Sequence, residues 1–299
     1  MDSFDLRQHY ERFYSEEQTS AISALKTLIE FLNKDRSNTA IELTKNIRHA
    51  IEELKKIDCR IEVESVAEIY FRFITLSSSK FDEFNALKGE LTRRSEVYLR
   101  KVLENRLRLP VIAQNFITDD SIILIHSYSR AVYYTLKAAM KKNKRFTVYV
   151  TESGPDYNGN EMFEKLKQEG CDVTLILDSA MGYIMERVDL VLVGAEGVTE
   201  SGGIINKIGT YQLAICAKAH NKAFYAVTES YKFIRRYPLS QCDIPEHLRW
   251  RKKSDNDVIS HASHSMVDYT PPNYITLLLT DLGPLTTAAV CDMLVQLYT

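Results

Sequence analysis

Between residues 122 and 227 the chain alternates short apolar runs rich in β-branched residues with stretches of helical period. Few architectures accept that pattern. The runs are Ile122–Ile125, Thr147–Val150, Val173–Leu177, Leu190–Val193 and Tyr225–Val227. Each is short, bounded by turn residues and apolar on successive positions, so each reads as a strand covered on both faces. Between them, Val132, Leu136, Ala139 and Met140 mark one helix. Met162, Phe163 and Leu166 mark a second, ended by Gly170, and Met181, Ile184, Met185 and Val188 mark a third, with Ser179 placed to cap it. Strands alternating with helices imply a mostly parallel sheet with helices on both sides. The expectation is an α/β fold, with a Rossmann-like, doubly wound domain over residues 116–299.

The preceding residues carry a different period. Ile22, Leu25, Ile29 and Leu32 recur at helical spacing, as do Leu43, Ile47, Ala50, Ile51 and Leu54. The polar turn 33–39 separates them, and Thr39 is placed to cap the second. Val66, Ile69, Tyr70, Phe73 and Ile74 mark a third helix ended by Ser77–Ser79. A fourth runs from about Asp82 to Arg108, closed by Pro110. An N-terminal helical domain, residues 1–115, follows from these. The fourth helix carries Lys88, Arg93, Arg94, Arg100, Lys101, Arg106 and Arg108 against Glu90, Glu96 and Glu104. A solvated face accounts for that charge, and a docking surface for an acidic or phosphorylated partner is the other reading. Nothing before Pro110 suggests enzymatic chemistry.

The formal charge of −2 is close to balance, which argues against a general nucleic-acid or membrane binder. No apolar run reaches the length of a membrane span, and the opening MDSFDLRQHYERFYSEEQ has no apolar leader, so a cytosolic protein is expected. Cysteines 59, 171, 216, 242 and 291 are odd in number and contain no CxxC, which fits free thiols and no structural zinc. His261 and His264 lie in a polar stretch with no carboxylate at ligand spacing, and read as solvated. No metal and no cofactor are expected. The first strand is not followed by GxGxxG, so a dinucleotide fits poorly.

In doubly wound sheets a ligand sits beyond the carboxyl ends of the strands. This chain places His126-Ser127-Tyr128-Ser129-Arg130 after the first strand and Thr151-Glu152-Ser153 after the second. Asp178-Ser179 follows the third, Glu196 the fourth, and Thr228-Glu229-Ser230 the fifth. Helix caps account for Ser179 and for Ser127, but not for Arg130, Glu152 and Glu196 together. Carboxylates accept from hydroxyls, and Arg, Lys and backbone N–H groups hold phosphates, so the mixture suggests a phosphorylated sugar or polyol. The stretch 188–220 adds a strand, a loop containing Gly202 and Gly203, then Asn206 and Lys207 at the expected start of a helix. That is an anion site by its chemistry, or else a glycine-rich connection with Lys207 in solvent; both readings stay open on mechanics alone.

Residues 231–268 read as a long surface excursion. Pro271 suits a helix start, Leu277-Leu278-Leu279 is strongly apolar, and Thr287 can cap a last helix containing Ala288, Val290, Met293, Leu294 and Leu297. This apolar end needs cover from the domain's own core or from a second copy of the chain.

The segments ILIHSYSR, VYVTESGPDYNG, VTLILDSAMGYIM, VDLVLVGAEGV, GGIINKIGTYQLAICAKAHNKAFYAVTES and VDYTPP carry a family likeness. They resemble the family that joins the alpha, beta and delta subunits of eukaryotic translation initiation factor 2B with 5-methylthioribose-1-phosphate isomerase. The alpha-type members are the most similar, through AEGV and HSYSR, and the likeness extends through SAISALKTLIEFL and EIYFRFITL. The resemblance places Ser127 where the isomerases carry a catalytic cysteine and Glu196 where they carry an aspartate. Gly154 stands where they carry an arginine, while Asn206 and Lys207 match their substrate-contacting pair. A serine without an activating base is a poor substitute for a thiolate, and Glu196 displaces the acid by a methylene. The implied protein is a non-catalytic regulatory subunit of the guanine nucleotide exchange factor 2B, acting in translation initiation on initiation factor 2. Implied partners are a second copy of itself, the beta, gamma, delta and epsilon subunits, and initiation factor 2, above all its phosphorylated form. The retained ligand positions are Ser127, Tyr128, Arg130, Glu152, Asp178, Glu196, Gly202, Gly203, Asn206 and Lys207, for a sugar phosphate. An active sugar-phosphate isomerase and a free sugar-phosphate sensor are the alternatives.

Overall fold

A computed structural model describes residues 4–14, 19–75, 84–245 and 265–298. The chain forms two compact units, residues 1–105 with 295–299, and residues 106–294.

The first unit is helical: α1 Leu6–Phe13, α2 Ser20–Lys34, α3 Ala40–Ile57, α4 Ile61–Thr75 and the start of α5, Phe84–Ala113. The apolar periods become its core. Ile22, Leu25, Leu28 and Leu32 of α2, Ile51 and Leu54 of α3, and Val66 and Tyr70 of α4 are buried. Thr19 and Thr39 cap α2 and α3, accepting from Ile22 N and Glu42 N, each at 3.2 Å. Inside the bundle the Tyr70 hydroxyl meets Ser95 Oγ at 2.9 Å, which satisfies both polar groups. The expected ends at Ser77–Ser79 and Asp82 lie outside the described residues.

Pro110 does not close α5, which continues to Ala113 with the proline inside it. A proline there removes one hydrogen bond and crowds the carbonyl four residues back. Leu109 and Ala113 are fully buried on either side of it, and that packing holds the last turn in place.

The second unit is the doubly wound domain. Its strands β1 Ser121–His126, β2 Phe146–Thr151, β3 Asp172–Ile176, β4 Leu190–Gly194 and β7 Ala223–Thr228 are all parallel and lie in the order β7-β4-β1-β2-β3 within a seven-stranded sheet. The helices between them are α6 Arg130–Lys141, α7 Asn158–Gln168, α8 Met181–Ile184 and α9 Thr210–Ala219. Leu277-Leu278-Leu279 is part of β10, Leu277–Thr280, which pairs parallel with β7, and β11, Gly283–Leu285, returns antiparallel beside it. Leu278 and Leu279 are wholly buried. Of the two covers expected for that triplet, the domain's own core is the one that forms. In the last helix, α10 Ala289–Tyr298, Val290 and Leu294 are buried too.

A second sheet was not foreseen. The hairpin strands β5 Gly197–Thr199 and β6 Ile204–Lys207 join β8 Phe233–Ile234 and β9 Val267–Thr270 in the order β8-β5-β6-β9. Strands of two to four residues show no period, and the glycines of the 199–203 turn make the hairpin look like a loop. Asn206 and Lys207 thus stand on a strand, and α9 starts only at Thr210.

Candidate functional site

The carboxyl ends of β1, β2 and β3 hold the polar residues at which the sequence points. Ser127, directly after β1, is buried with φ of 61°, and Ser153, two residues after β2, takes φ of 60°. Two non-glycine residues in the left-handed region, at adjacent strand ends, are a local cost that surrounding contacts must hold in place. His126 supplies one such contact. Its imidazole is buried, with Nδ1 2.6 Å from Thr151 Oγ1 and Nε2 2.7 Å from the Ile208 carbonyl. The carbonyl can only accept, so Nε2 carries the proton and the threonine hydroxyl donates to Nδ1. Burial pushes the imidazole below its ordinary pKa, which agrees with that neutral tautomer.

Asp178 follows β3 and accepts from the amides of Ser153 and Gly154, each at 2.8 Å, so it fixes the loop after β2. Ser179 does not cap a helix by its side chain; the cap that forms is Ser129, accepting from Val132 N at the start of α6. Arg130 is the first residue of α6 and is half-buried, as are Tyr128, Glu152 and Glu196. Tyr128 takes a hydrogen bond from Lys165 Nζ at 3.1 Å. Glu196 enters the second sheet, its amide donating to the Ile205 carbonyl at 2.9 Å.

On β6, Asn206 Nδ2 donates to Thr210 Oγ1 at 3.0 Å, and the Lys207 ammonium pairs with the carboxylate of Asp156. The amides that open α9 are spoken for: those of Gly209 and Tyr211 donate to Asp268 Oδ2 at 2.8 and 3.0 Å. A carboxylate from β9 thus does at this helix N-terminus what a bound anion does elsewhere. Asp268 is buried, its second oxygen has no hydrogen-bond partner among the described residues, and burial pushes its pKa up to about 7 despite those donors. A cleft of about 650 Å³ lies alongside, lined by Gly154, Asp178, Gly209, Tyr211 and Asp268 among others.

Gly202 and Gly203 come against the chain itself. A Cβ on Gly202 would stand 2.1 Å from the Thr287 carbonyl oxygen, and one on Gly203 would stand 2.5 Å from the Tyr269 ring. Close approach of other parts of the chain, the Thr287 backbone at Gly202 and the Tyr269 ring at Gly203, accounts for both glycines without a ligand. Gly202 also has φ of 83°, and Gly170 has φ of 80° with open space where its Cβ would be. Gly170→Ala should therefore cost only the conformational penalty, about 1 kcal/mol, and Gly202→Ala about 2–3 kcal/mol once overpacking is added. Equal losses on chemical denaturation would show that contact with Thr287 does not matter.

Asp156 and Asp268 are the residues that the sequence did not mark, and His126 was noted at a strand end without a ligand role. Each sits inside a segment quoted for its likeness, but neither aspartate stands directly at the end of an apolar run. No group of three or more His, Cys, Asp or Glu residues among the described ones is arranged for a metal.

The fold and the strand-end polar cluster define the class: a doubly wound α/β domain, joined to a helical unit, with its candidate site at the carboxyl ends of a parallel sheet. The chain belongs to the initiation factor 2 subunit family (IF-2B), whose family model matches residues 15–287. It is 40% identical to translation initiation factor eIF2B subunit alpha of Dictyostelium discoideum, over 94% of this chain and 92% of that one. It is 36% identical to the Caenorhabditis elegans eIF2B subunit alpha, over 94% and 93%. Ribose 1,5-bisphosphate isomerase of Archaeoglobus fulgidus is 31% identical, over 66% of this chain and 64% of that enzyme. Among solved structures, Pyrococcus horikoshii OT3 eIF-2B superposes with a TM-score of 0.75 at 25% identity, covering 94% and 95% of the two chains. A chain of the eIF2B beta2-delta2 tetramer of Chaetomium thermophilum gives 0.80 at 21% identity, over 98% and 93%, a likeness of fold.

Proposed function

We propose that this chain is the alpha-type regulatory subunit of a guanine nucleotide exchange factor that acts on initiation factor 2 in translation initiation. The observation that carries the reading is the 40% and 36% identity to two eIF2B alpha subunits, across more than nine-tenths of their lengths as well as its own. Its partners are the beta, gamma, delta and epsilon subunits and a second copy of itself. Initiation factor 2, above all when phosphorylated, is the client, and the setting is the cytosol. Among the described residues no helix is long and apolar enough to cross a membrane, in keeping with that setting. Isolation from cytosol under native conditions tests the reading: the other four subunits should accompany the chain in stoichiometric amounts. Recovery of the chain without them overturns it.

The strand-end cluster is a sugar-phosphate site that binds without turning over. The 31% identity to ribose 1,5-bisphosphate isomerase supports the ligand class and also favours a second reading, an active isomerase. Against catalysis stand Ser127 and Glu196, the first with only a hydroxyl to offer and the second a longer acid than the family's aspartate. The purified chain should convert neither ribose 1,5-bisphosphate nor 5-methylthioribose 1-phosphate faster than buffer. Turnover that disappears in Glu196→Ala would establish the isomerase instead.

A further inference from the structure

Lys207 is the cation that a sugar phosphate needs at this site, and its ammonium already has a carboxylate partner. Asp156 reaches it from the loop after β2, and the two side chains are 21% and 12% exposed. Asp156 has no other side-chain partner among the described residues, and Lys207 donates to no second group among them. Asp156 therefore does not brace a larger network whose removal would disturb the fold; its carboxylate serves the lysine alone. The loop that bears it is held elsewhere, by Asp178 on the amides of Ser153 and Gly154 and by the Tyr157 amide on the Ser153 carbonyl.

A phosphate oxygen and a carboxylate oxygen ask the same thing of an ammonium group, a short charge-assisted hydrogen bond. One ion pair in a partly buried site also leaves no net charge there to attract a dianion. Glu152, Asp178 and Glu196 stand at the neighbouring strand ends, and the carboxylates of this cluster outnumber its cations. We propose that Asp156 is a built-in competitor for the ligand's phosphate. It occupies Lys207 in the empty protein, must be displaced when a sugar phosphate enters, and so sets how much phosphate ligand the subunit needs before it responds. Asp156 then lowers the affinity for phosphorylated sugars and leaves that for plain sugars untouched. The inference rests on the sugar-phosphate reading of the site.

Calorimetric titration of the full chain with ribose 1,5-bisphosphate, and separately with ribose, tests it in three forms: unmodified, Asp156→Asn and Lys207→Met. Asp156→Ser serves as a second variant at the same place, and a thermal transition without ligand checks that each form is folded. Removing the competitor should tighten bisphosphate binding about tenfold, the scale of one charge-assisted hydrogen bond, and leave any binding of ribose unchanged. Lys207→Met should abolish bisphosphate binding. If Asp156→Asn and Asp156→Ser bind the bisphosphate no tighter than the unmodified chain, while Lys207→Met still fails to bind, the competitor role is overturned and the sugar-phosphate site stands. If Lys207→Met binds the bisphosphate like the unmodified chain, the phosphate sits away from Lys207 and the competitor role is overturned. If no form binds, the sugar-phosphate reading falls and the competitor role falls with it.

Discussion

Leu279→Asp is expected to prevent the α/β unit from folding. Leu279 lies on β10 between β7 and β11, fully buried in a cluster with Ile125, Leu192 and Val227. An ionised carboxylate there has no cation to pair with inside that cluster, and burying one unpaired costs several kcal/mol even after relaxation. Loss of the leucine's own packing adds about 2–5 kcal/mol. Together these approach or exceed the 5–15 kcal/mol by which a typical domain is stable. The variant should show no cooperative thermal transition. Tyr183→Asp is the control, since Tyr183 is 82% exposed on α8, and its effect should stay within about 0.5 kcal/mol. A folded, cooperative Leu279→Asp monomer would restore the reading of this triplet as an assembly surface.

That contrast shows where the sequence was legible. Parallel strands covered on both faces appear as apolar runs, so β1, β2, β4 and β7 could be read to within two residues at either end. β3 was read from the same kind of run, yet it is the edge strand of the sheet, and Asp172, Thr174 and Leu175 are exposed there. The triplet at 277–279 is the same kind of run. Its cover stayed open between the domain's own core and a second copy of the chain, because the irregular stretch 231–268 hid the fact that the chain returns to the sheet beside β7. Short strands are a different matter. Neither Gly197–Thr199 nor Phe233–Ile234 has enough residues to show an alternation, and the two pair with each other across a long stretch of chain, as Val198 with Phe233.

The candidate site was legible as a set of strand ends and not as a set of contacts. Ser127, Glu152, Asp178 and Glu196 were found by their position after a run. What each one does was not available, because Asp178 spends both oxygens on backbone amides of a loop 24 and 25 residues earlier. Asp156 and Asp268 follow no recognised strand end. Only the folded chain shows that one carboxylate occupies Lys207 and the other the start of α9. An acid that serves its own backbone and an acid that awaits a ligand have the same sequence signature.

The placement of Asp268 has a consequence for stability that pH should expose. Its carboxyl is pushed from 3.8 up to about 7 by burial, against the opposing pull of the amides at Gly209, Thr210 and Tyr211. A carboxyl whose folded pKa lies above its unfolded one favours folding most when both states are protonated. As pH rises from about 4 to about 7, the unfolded chain loses this proton and the folded one keeps it, so stability falls across that window and levels off above it. The full swing is of the order of 4 kcal/mol, at about 1.4 kcal/mol for each pH unit. Asn in place of Asp268 retains an oxygen to accept from the Gly209 and Tyr211 amides and has no charge to bury. Titrating groups far from Asp268 are present in both proteins and drop out of the difference. Asp268→Asn should therefore match the unmodified chain near pH 4 and exceed it by a growing margin up to pH 7, several degrees in Tm. Denaturation curves that run parallel from pH 4 to pH 7 would mean that the three amides hold the carboxylate in its charged form. Asp268 would then be a stabilising cap of α9 at neutral pH, and Asp268→Asn would weaken the protein there instead of strengthening it.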